Sequence, residues 1–235
     1  MIPRHLAKTL RTVAGQYPVV SVTGPRQSGK TTLVQATFPR HSYVSLENPE
    51  HRSLALEDPK GFLQRFSGRV ILDEVQRVPD LLLAIKRDID RERRPGRFLL
   101  TGSANVLTAP AVNDALTGRA ALVTLWPLAQ SELSGSGRNL VDALFAGAPP
   151  NVSDAPIGRD AFVEPVVKGG YPEAVRLGAR ARRRLLTDYV RSTLERDLRD
   201  IATDAETGAT QVAIVVAASR IRHPLDARTL ARLAA

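Results

Sequence analysis

The 235-residue sequence contains no cysteine, so disulfide bonds and thiolate-bound metals are excluded. No apolar run approaches the length of a membrane span, and residues 1–15 do not contain the long apolar core of a secretory signal. We therefore expect a cytoplasmic protein with no membrane partner. Histidine is also scarce and scattered, which favours isolated side chains over a metal-ligand cluster: the four are His5, His41, His51 and His223.

A glycine loop (residues 24–32) follows the apolar run at residues 18–23, and a predicted helix follows the loop. Glycines at this spacing allow backbone N–H groups to turn inward around phosphates, which predicts a nucleoside triphosphate site. Lys30 would supply charge to the outer phosphates and Thr31 a hydroxyl to Mg²⁺. A chance match is the alternative, at odds of about one per cent. The expected binding segment is Gly24-Pro25-Arg26-Gln27-Ser28-Gly29-Lys30-Thr31-Thr32.

Two carboxylates end a second predicted strand. Residues 70–72 are Val-Ile-Leu, and Asp73 and Glu74 follow them. In a parallel sheet the ligand lies at the carboxyl ends of the strands, so Asp73 would complete the Mg²⁺ shell beside the glycine loop. Glu74 would orient or deprotonate the attacking water. An ordinary strand-end cap is the alternative for this segment alone.

A third apolar run, at residues 98–100, ends on small hydroxyl residues. We expect Thr101 to sense the γ-phosphate or the water, with Ser103 as the second candidate. The alternative is a plain transition from strand to loop, in which the hydroxyls satisfy the turn.

Strands alternate with helices up to about residue 134, which predicts an α/β fold with helices on both faces of a parallel sheet. Asp58-Pro59 is typical of a helix start, and residues 3–13 and 79–91 also have helical patterns. Loop residues then dominate. We divide the chain into a core at 1–134, a linker at 135–160 and a helical region at 161–235, whose end (211–234) has the pattern of an incomplete helix-turn-helix.

These segments resemble the AAA+ ATPases, specifically a prokaryotic group in which the P-loop domain precedes a C-terminal domain of unknown function (number 4143). The resemblance implies a P-loop NTPase with a parallel five-stranded sheet between helices, followed by a small all-helical segment. It also implies ATP and Mg²⁺ as cofactors, and a chain that is truncated relative to longer relatives. Beyond the glycine loop, it covers residues 2–4, 72–76, 100–103, 116–119, 126–128, 169–173 and 189–200.

Two further assignments depend on this resemblance. Arg119 follows Gly118 and would reach phosphate charge in its own subunit or in a neighbouring one, which makes a homo-oligomer a candidate assembly. A surface arginine is the alternative. Tyr171 and Pro172 match an element that lies over the nucleotide base in related ATPases, and a simple turn is the alternative.

The predicted helix at residues 179–201 contains seven arginines, and the formal net charge is +9. Arginines can pair with nucleic-acid phosphates, so DNA is a candidate partner beside a protein. The acidic residues between them favour a solvated, ion-paired face instead, and only Tyr189 is available there for base stacking.

The sequence thus predicts a Mg²⁺-dependent ATP-binding protein that hydrolyses ATP slowly and couples the nucleotide to a macromolecular partner. The absence of an Asn-Lys-x-Asp element favours ATP over GTP. Two alternatives stay open at this point. One is a P-loop kinase acting on a small molecule, and the other is a truncated nucleotide-binding interaction module that does not cycle.

Overall fold

The computed structural model describes residues 2–102, 116–135, 144–145, 147 and 158–197. The chain divides into two compact units, residues 1–175 and 176–235. In the described residues, no helix is long and apolar enough to cross a membrane.

Five strands in the described part of the chain form one parallel sheet in the order β2-β3-β4-β1-β5. Val19 at the start of β1 pairs with Phe98 on one side and with Ala120 on the other, so the strands begin nearly level. Their carboxyl ends consequently share one edge of the sheet. This arrangement confirms the predicted parallel five-stranded sheet. The strands are β1 Val19–Thr23, β2 Ser42–Ser45, β3 Val70–Asp73, β4 Phe98–Thr101 and β5 Ala120–Thr124.

In the described residues up to 135, six helices accompany the sheet. Asn48 and Asp58 cap α3 and α4 by accepting hydrogen bonds from the amides of Glu50 and Gly61, and a proline occupies the first turn of each helix. The predicted start at Asp58-Pro59 is confirmed. The helices are α1 Leu6–Ala14, α2 Lys30–Thr37, α3 Pro49–Glu57, α4 Pro59–Gln64, α5 Leu81–Arg91 and α6 Gln130–Ser134, with a 3₁₀ turn at Val75–Arg77.

The core consists of two apolar layers, one on each face of the sheet. Alternate residues of the strands point to opposite faces, so Leu72 and Leu100 join the layer with α3, α4 and α5, whereas Ile71 and Leu99 join the layer with α1 and α2. Burial on both faces explains why β3 and β4 are continuous apolar runs and do not alternate with polar residues.

Between residues 158 and 197, the part of the C-terminal region that the structure describes, there are three further helices: α7 Arg159–Lys168, α8 Pro172–Arg176 and α9 Ala179–Asp197. They agree with the predicted helical C-terminal part. Residues 159–175 belong to the first compact unit, together with the sheet. The proposed domain limits stay a prediction, and the incomplete helix-turn-helix at 211–234 lies outside the described residues.

Candidate nucleotide-binding site

The glycine loop joins β1 to α2 at the carboxyl edge of the sheet. β3 and β4 end at the same edge, which brings Asp73 and Thr101 beside the first turn of α2, where Lys30 and Thr31 lie. The chemistry-bearing ends of three predicted motifs therefore meet in space, although they are far apart in the sequence.

The two glycines of the loop are required for different reasons. Gly24 has φ +135°, and a Cβ there would lie 2.2 Å from the carbonyl oxygen of Leu125, which follows β5. Gly29 has φ +93° but ample space, since a Cβ there would come no closer than 3.9 Å to Pro172 Cγ. Gly24 thus permits close backbone packing, and Gly29 permits the left-handed turn into α2.

Backbone donors of the loop are directed away from internal partners. The amide of Ser28 donates to Pro25 O at 3.3 Å and closes the turn. In the described residues, the amides of Gly29, Lys30 and Thr31 have no backbone acceptor. Ser28 Oγ is buried and has no hydrogen-bond partner in the same part of the chain. Groups of this kind suit an oxygen-rich anion at a helix N-terminus.

The Lys30 side chain lies along the inside of the loop. Its Nζ donates to Gly24 O and to Pro25 O, each at 2.9 Å, which leaves one of its three hydrogens for an outside acceptor. Burial lowers the pKa of Lys30, the charges of Glu74 and Asp73 oppose that shift, and the charge of Arg26 adds to it. A buried cation near two carboxylates is well placed to meet a polyanion with its counter-ion.

Asp73 accepts hydrogen bonds from three hydroxyls. Thr31 Oγ1 donates to Asp73 Oδ1 at 2.8 Å, and Thr101 Oγ1 donates to the same oxygen. Tyr43 OH donates to Asp73 Oδ2 at 2.9 Å. Both carboxylate oxygens are therefore oriented by side chains of neighbouring elements.

Tyr43, on β2, was not among the predicted site residues. Burial and then the hydrogen bond to Asp73 raise the pKa of Tyr43 to about 12, so the phenol remains a donor at physiological pH. The only sequence signal was an aromatic hydroxyl in the strand that would adjoin β3.

Glu74 has left-handed backbone geometry, with φ 58° and ψ 46°. Gln76 Nε2 donates to its carboxylate. In the described residues, the only other non-glycine residue with positive φ is Gln27, also at 58°, in the glycine loop. Strained backbone at both motif loops is typical of functional sites.

Arg119 lies at the opposite edge of the sheet. It precedes β5 directly, so about 16 Å of strand separates it from the carboxyl end, at 3.3 Å per residue. Its Nε pairs with Asp90 Oδ1 at 2.6 Å. Its own glycine loop lies at the other end of β1 and β5, and the role of Arg119 toward phosphate charge, in its own subunit or in a neighbouring one, stays a prediction. Ser103, the second sensor candidate, lies outside the described residues.

Pro172 lies beside the glycine loop, as its 3.9 Å approach to a Cβ at Gly29 shows. The backbone before Pro172 packs closely against the segment after β5 at Gly170. A Cβ at Gly170 would lie 2.2 Å from Leu128 O, and the amide of Leu128 donates to Gly170 O at 2.7 Å. The contact of Tyr171 and Pro172 with a nucleotide base stays a prediction.

The donor set fits Mg²⁺ with a triphosphate. The described residues contain no group of three or more His, Asp or Glu side chains that could hold a metal. A hydroxyl from Thr31 and a carboxylate from Asp73 are hard oxygen ligands, and Mg²⁺ is usually held by one or two carboxylates together with substrate phosphates and water.

Comparison with known proteins identifies relatives for both halves of the chain. Two uncharacterized proteins, Rv2008c of Mycobacterium tuberculosis and Mb2031c of Mycobacterium bovis, are each 34% identical over 193 residues, or 78% of this chain and 43% of the relative. The chain thus spans less than half the length of these relatives.

Residues 159–235 match a domain of unknown function numbered 8612. This differs from the domain number 4143 that the resemblance suggested.

Solved structures are more distant. The Walker-type ATPase PABY2304 of Pyrococcus abyssi is 14% identical with a TM-score of 0.44, and the alignment covers 95% of this chain and 77% of that one. AMPPCP-bound DnaA from Aquifex aeolicus is also 14% identical, with a TM-score of 0.43 and coverages of 83% and 63%.

Residues 16–134 match a protein family described as an AAA domain. The match covers about half of the chain and all five strands of the sheet. The chain therefore belongs to the AAA domain family and carries an AAA-type P-loop ATPase domain.

Proposed function

We propose that the protein binds ATP with Mg²⁺ at the glycine loop, hydrolyses it slowly, and uses the bound nucleotide to change its contacts with another macromolecule. The observation that carries this proposal is the convergence of Lys30, Thr31 and Asp73 beside amides that have no backbone acceptor in the described residues. Each group has the charge or polarity that a metal-bound triphosphate needs.

Residues of the loop would bind the phosphates through their amides and through Lys30 Nζ. Thr31 and Asp73 would hold Mg²⁺, which when bound neutralises charge on the phosphate oxygens. Thr101 and Tyr43 orient the Asp73 carboxylate and hold it in place. Thr101 would sense the γ-phosphate through its hydrogen bond to Asp73.

Glu74 is the residue that we assign to water activation. It directly follows β3 with a left-handed backbone, and the hydrogen bond from Gln76 restrains its carboxylate. A carboxylate at the strand end supports hydrolysis over transfer to a small-molecule acceptor. The lack of an Asn-Lys-x-Asp element supports ATP as the nucleotide.

Arg119 supports an assembly of more than one copy. It stands at the edge of the sheet away from its own glycine loop and is 30% exposed at the side chain. An arginine that contributes to catalysis from there would act on a neighbouring subunit. We propose a homo-oligomer in which Arg119 reaches the phosphates of the next copy.

DNA is the partner that we assign among the candidates. The formal net charge is +9, and Arg180, Arg183 and Arg184 of α9 are exposed. Arg184 pairs with Asp188 only at 3.8 Å, on the surface, where ion pairs contribute little. Such arginines can exchange an acidic neighbour for a phosphate.

Replacing Lys30 with Ala should weaken ATP affinity roughly 10- to 100-fold, because a charge-assisted contact is lost. Glu74→Gln should leave affinity within about 3-fold and lower kcat by roughly 10² to 10⁴. Isothermal titration and release of inorganic phosphate measure the two effects, with the exposed Lys60→Ala as control.

Full ATP affinity in Lys30→Ala would contradict the assignment of the glycine loop as the nucleotide site. Phosphate transfer that requires an acceptor would identify a kinase, and tight binding with no turnover would identify a non-cycling module.

Replacing Tyr43 with Phe removes the donor to Asp73 Oδ2. We expect the Mg²⁺ concentration for half-maximal turnover to rise about 10-fold, since partners of a metal ligand tune its affinity to this extent. Because the pKa of Tyr43 is about 12, the effect should be the same at every pH from about 6 to 9. Tyr17→Phe, on the loop before β1, is the control. An unchanged Mg²⁺ requirement would show that Tyr43 has no role at the metal.

Replacing Arg119 with Ala should lower kcat at least about 10-fold and leave ATP affinity unchanged. Mixing it with Glu74→Gln gives the sharper test, because one variant retains an intact site and the other an intact arginine. Turnover of the mixture should exceed the sum of the two alone and should rise with protein concentration. Arg87→Ala, at an exposed position of α5, is the control. No complementation at any concentration would exclude action in trans.

Duplex DNA should bind more weakly as salt rises from about 50 to 200 mM, and should change the ATPase rate. Reversing Arg183 and Arg184 together to Glu should reduce the salt slope by about two and weaken binding about 10-fold. The paired control is Lys8→Glu with Arg11→Glu on the exposed side of α1. Failure to bind DNA at the lowest salt would assign the partner to proteins instead.

A further inference from the structure

A buried ion pair lies directly behind the glycine loop. Arg4 precedes α1 and Glu132 lies in α6, and their side chains are only 9% and 6% exposed. Arg4 Nε and Glu132 Oε1 are 3.2 Å apart. Charged groups are rarely buried to this degree unless they are paired, so the contact is a specific feature of the fold. Neither residue has a role in the binding chemistry described above.

Every group of the pair has a defined partner. Besides Glu132, Arg4 binds two carbonyls: its Nη1 donates to Ser28 O at 3.1 Å, and its Nη2 donates to Trp126 O. Glu132 in turn accepts from the amide of His5 at 2.8 Å and from the amide of Ala129 at 2.9 Å. Burial would raise the pKa of Glu132, but these amides and the Arg4 charge outweigh it and hold the pKa below its ordinary value.

The bond to Ser28 O fixes one peptide of the glycine loop. A trans peptide is planar, so its C=O and the following N–H point in opposite directions. With Ser28 O held toward Arg4, the amide of Gly29 points away from Arg4, and it has no backbone acceptor in the described residues. The direction of a proposed phosphate-binding donor is therefore set by the Arg4 side chain, just before α1.

The same pair holds the segment that faces Gly170. Arg4 binds Trp126 O and Glu132 binds the amide of Ala129, on either side of Leu128. Leu128 donates to Gly170 O at 2.7 Å, and Pro172 follows beside Gly29. One ion pair thus connects the loop, the segment after β5 and the start of α8.

We propose that Arg4 and Glu132 are a positioning pair that holds the Ser28–Gly29 peptide with its amide turned toward the nucleotide phosphates. The proposal rests on the proposed function, and it assigns Arg4 a role at the same site without contact to the ligand. A buried ion pair is weak evidence for stability in itself, because desolvation offsets the Coulomb attraction, so we assign the pair a geometric role.

The variant Arg4→Lys separates the two roles. Lysine keeps the charge opposite Glu132 but does not have the planar fork that reaches two carbonyls and a carboxylate together. A role of the charge alone would survive this change, whereas a role that needs the carbonyl contacts would not. Arg11→Lys is the matched control, because Arg11 is exposed on α1.

Two measurements on the full chain test the proposal. The first is amide hydrogen exchange without nucleotide, comparing a peptide that covers residues 24–32 with peptides from β3 and β4. We expect Arg4→Lys to speed exchange in the loop about 10-fold and to leave the strands unchanged. The second is the Kd for ATP, which we expect to rise about 10-fold in Arg4→Lys and by less than about 2-fold in Arg11→Lys.

Unchanged loop exchange in Arg4→Lys would overturn the proposal, and so would faster exchange in the loop and strands together, which indicates general destabilisation. Faster loop exchange with an unchanged Kd would also overturn it. If the unmodified protein bound no ATP, the proposed function would fail, but the exchange comparison would still decide whether Arg4 holds the loop.

Discussion

The Asp73 carboxylate is the group on which the arrangement of the site depends. It stands at the end of β3 and accepts hydroxyl hydrogens from α2, β2 and β4 through Thr31, Tyr43 and Thr101. Three hydroxyl hydrogen bonds converge on this carboxyl group, so one side chain ties three elements together at the edge of the sheet. Thr101 is fully buried. Without the Asp73 carboxylate, the Thr101 hydroxyl would lose this acceptor, and a buried hydroxyl with no hydrogen bond lowers the stability of the fold. The proposed metal site and the local packing therefore depend on the same side chain.

The sequence predicts the parts of this site that are local. The glycine spacing, the apolar run before Asp73 and the run before Thr101 each identify a strand end, and a parallel sheet then requires the three to meet. That reasoning accounts for the fold, because alternation of strands and helices restricts the topology severely. It does not yield Tyr43, whose contact with Asp73 depends on β2 lying beside β3, nor Arg4, which meets a residue 128 positions away. No periodicity or spacing encodes contacts of that range.

Two glycines also make long-range contacts that the sequence does not reveal. Gly24 and Gly170 look in the sequence like turn residues, yet each is in contact with a backbone segment from elsewhere: Leu125 O for Gly24 and Leu128 O for Gly170, with a Cβ blocked at 2.2 Å in both cases. Leu125 and Leu128 flank Trp126, whose carbonyl Arg4 binds. The short segment after β5 therefore supports both the entrance of the glycine loop and the start of the helical part, and glycine is needed wherever the main chain approaches it.

The last glycine of the loop shows which constraint acts at the start of α2. Gly29 has φ +93°, and a Cβ built there would lie 3.9 Å from Pro172 Cγ, at the first turn of α8. That separation is an ordinary contact distance, so the space beside Gly29 would admit a side chain, and the left-handed backbone is what requires glycine. The Gly29 amide has no backbone acceptor in the described residues, and the carbonyl of the same peptide accepts from Arg4. The conformation that begins α2 therefore also leaves this donor without an internal acceptor, so the turn and the proposed phosphate contact depend on the same residue.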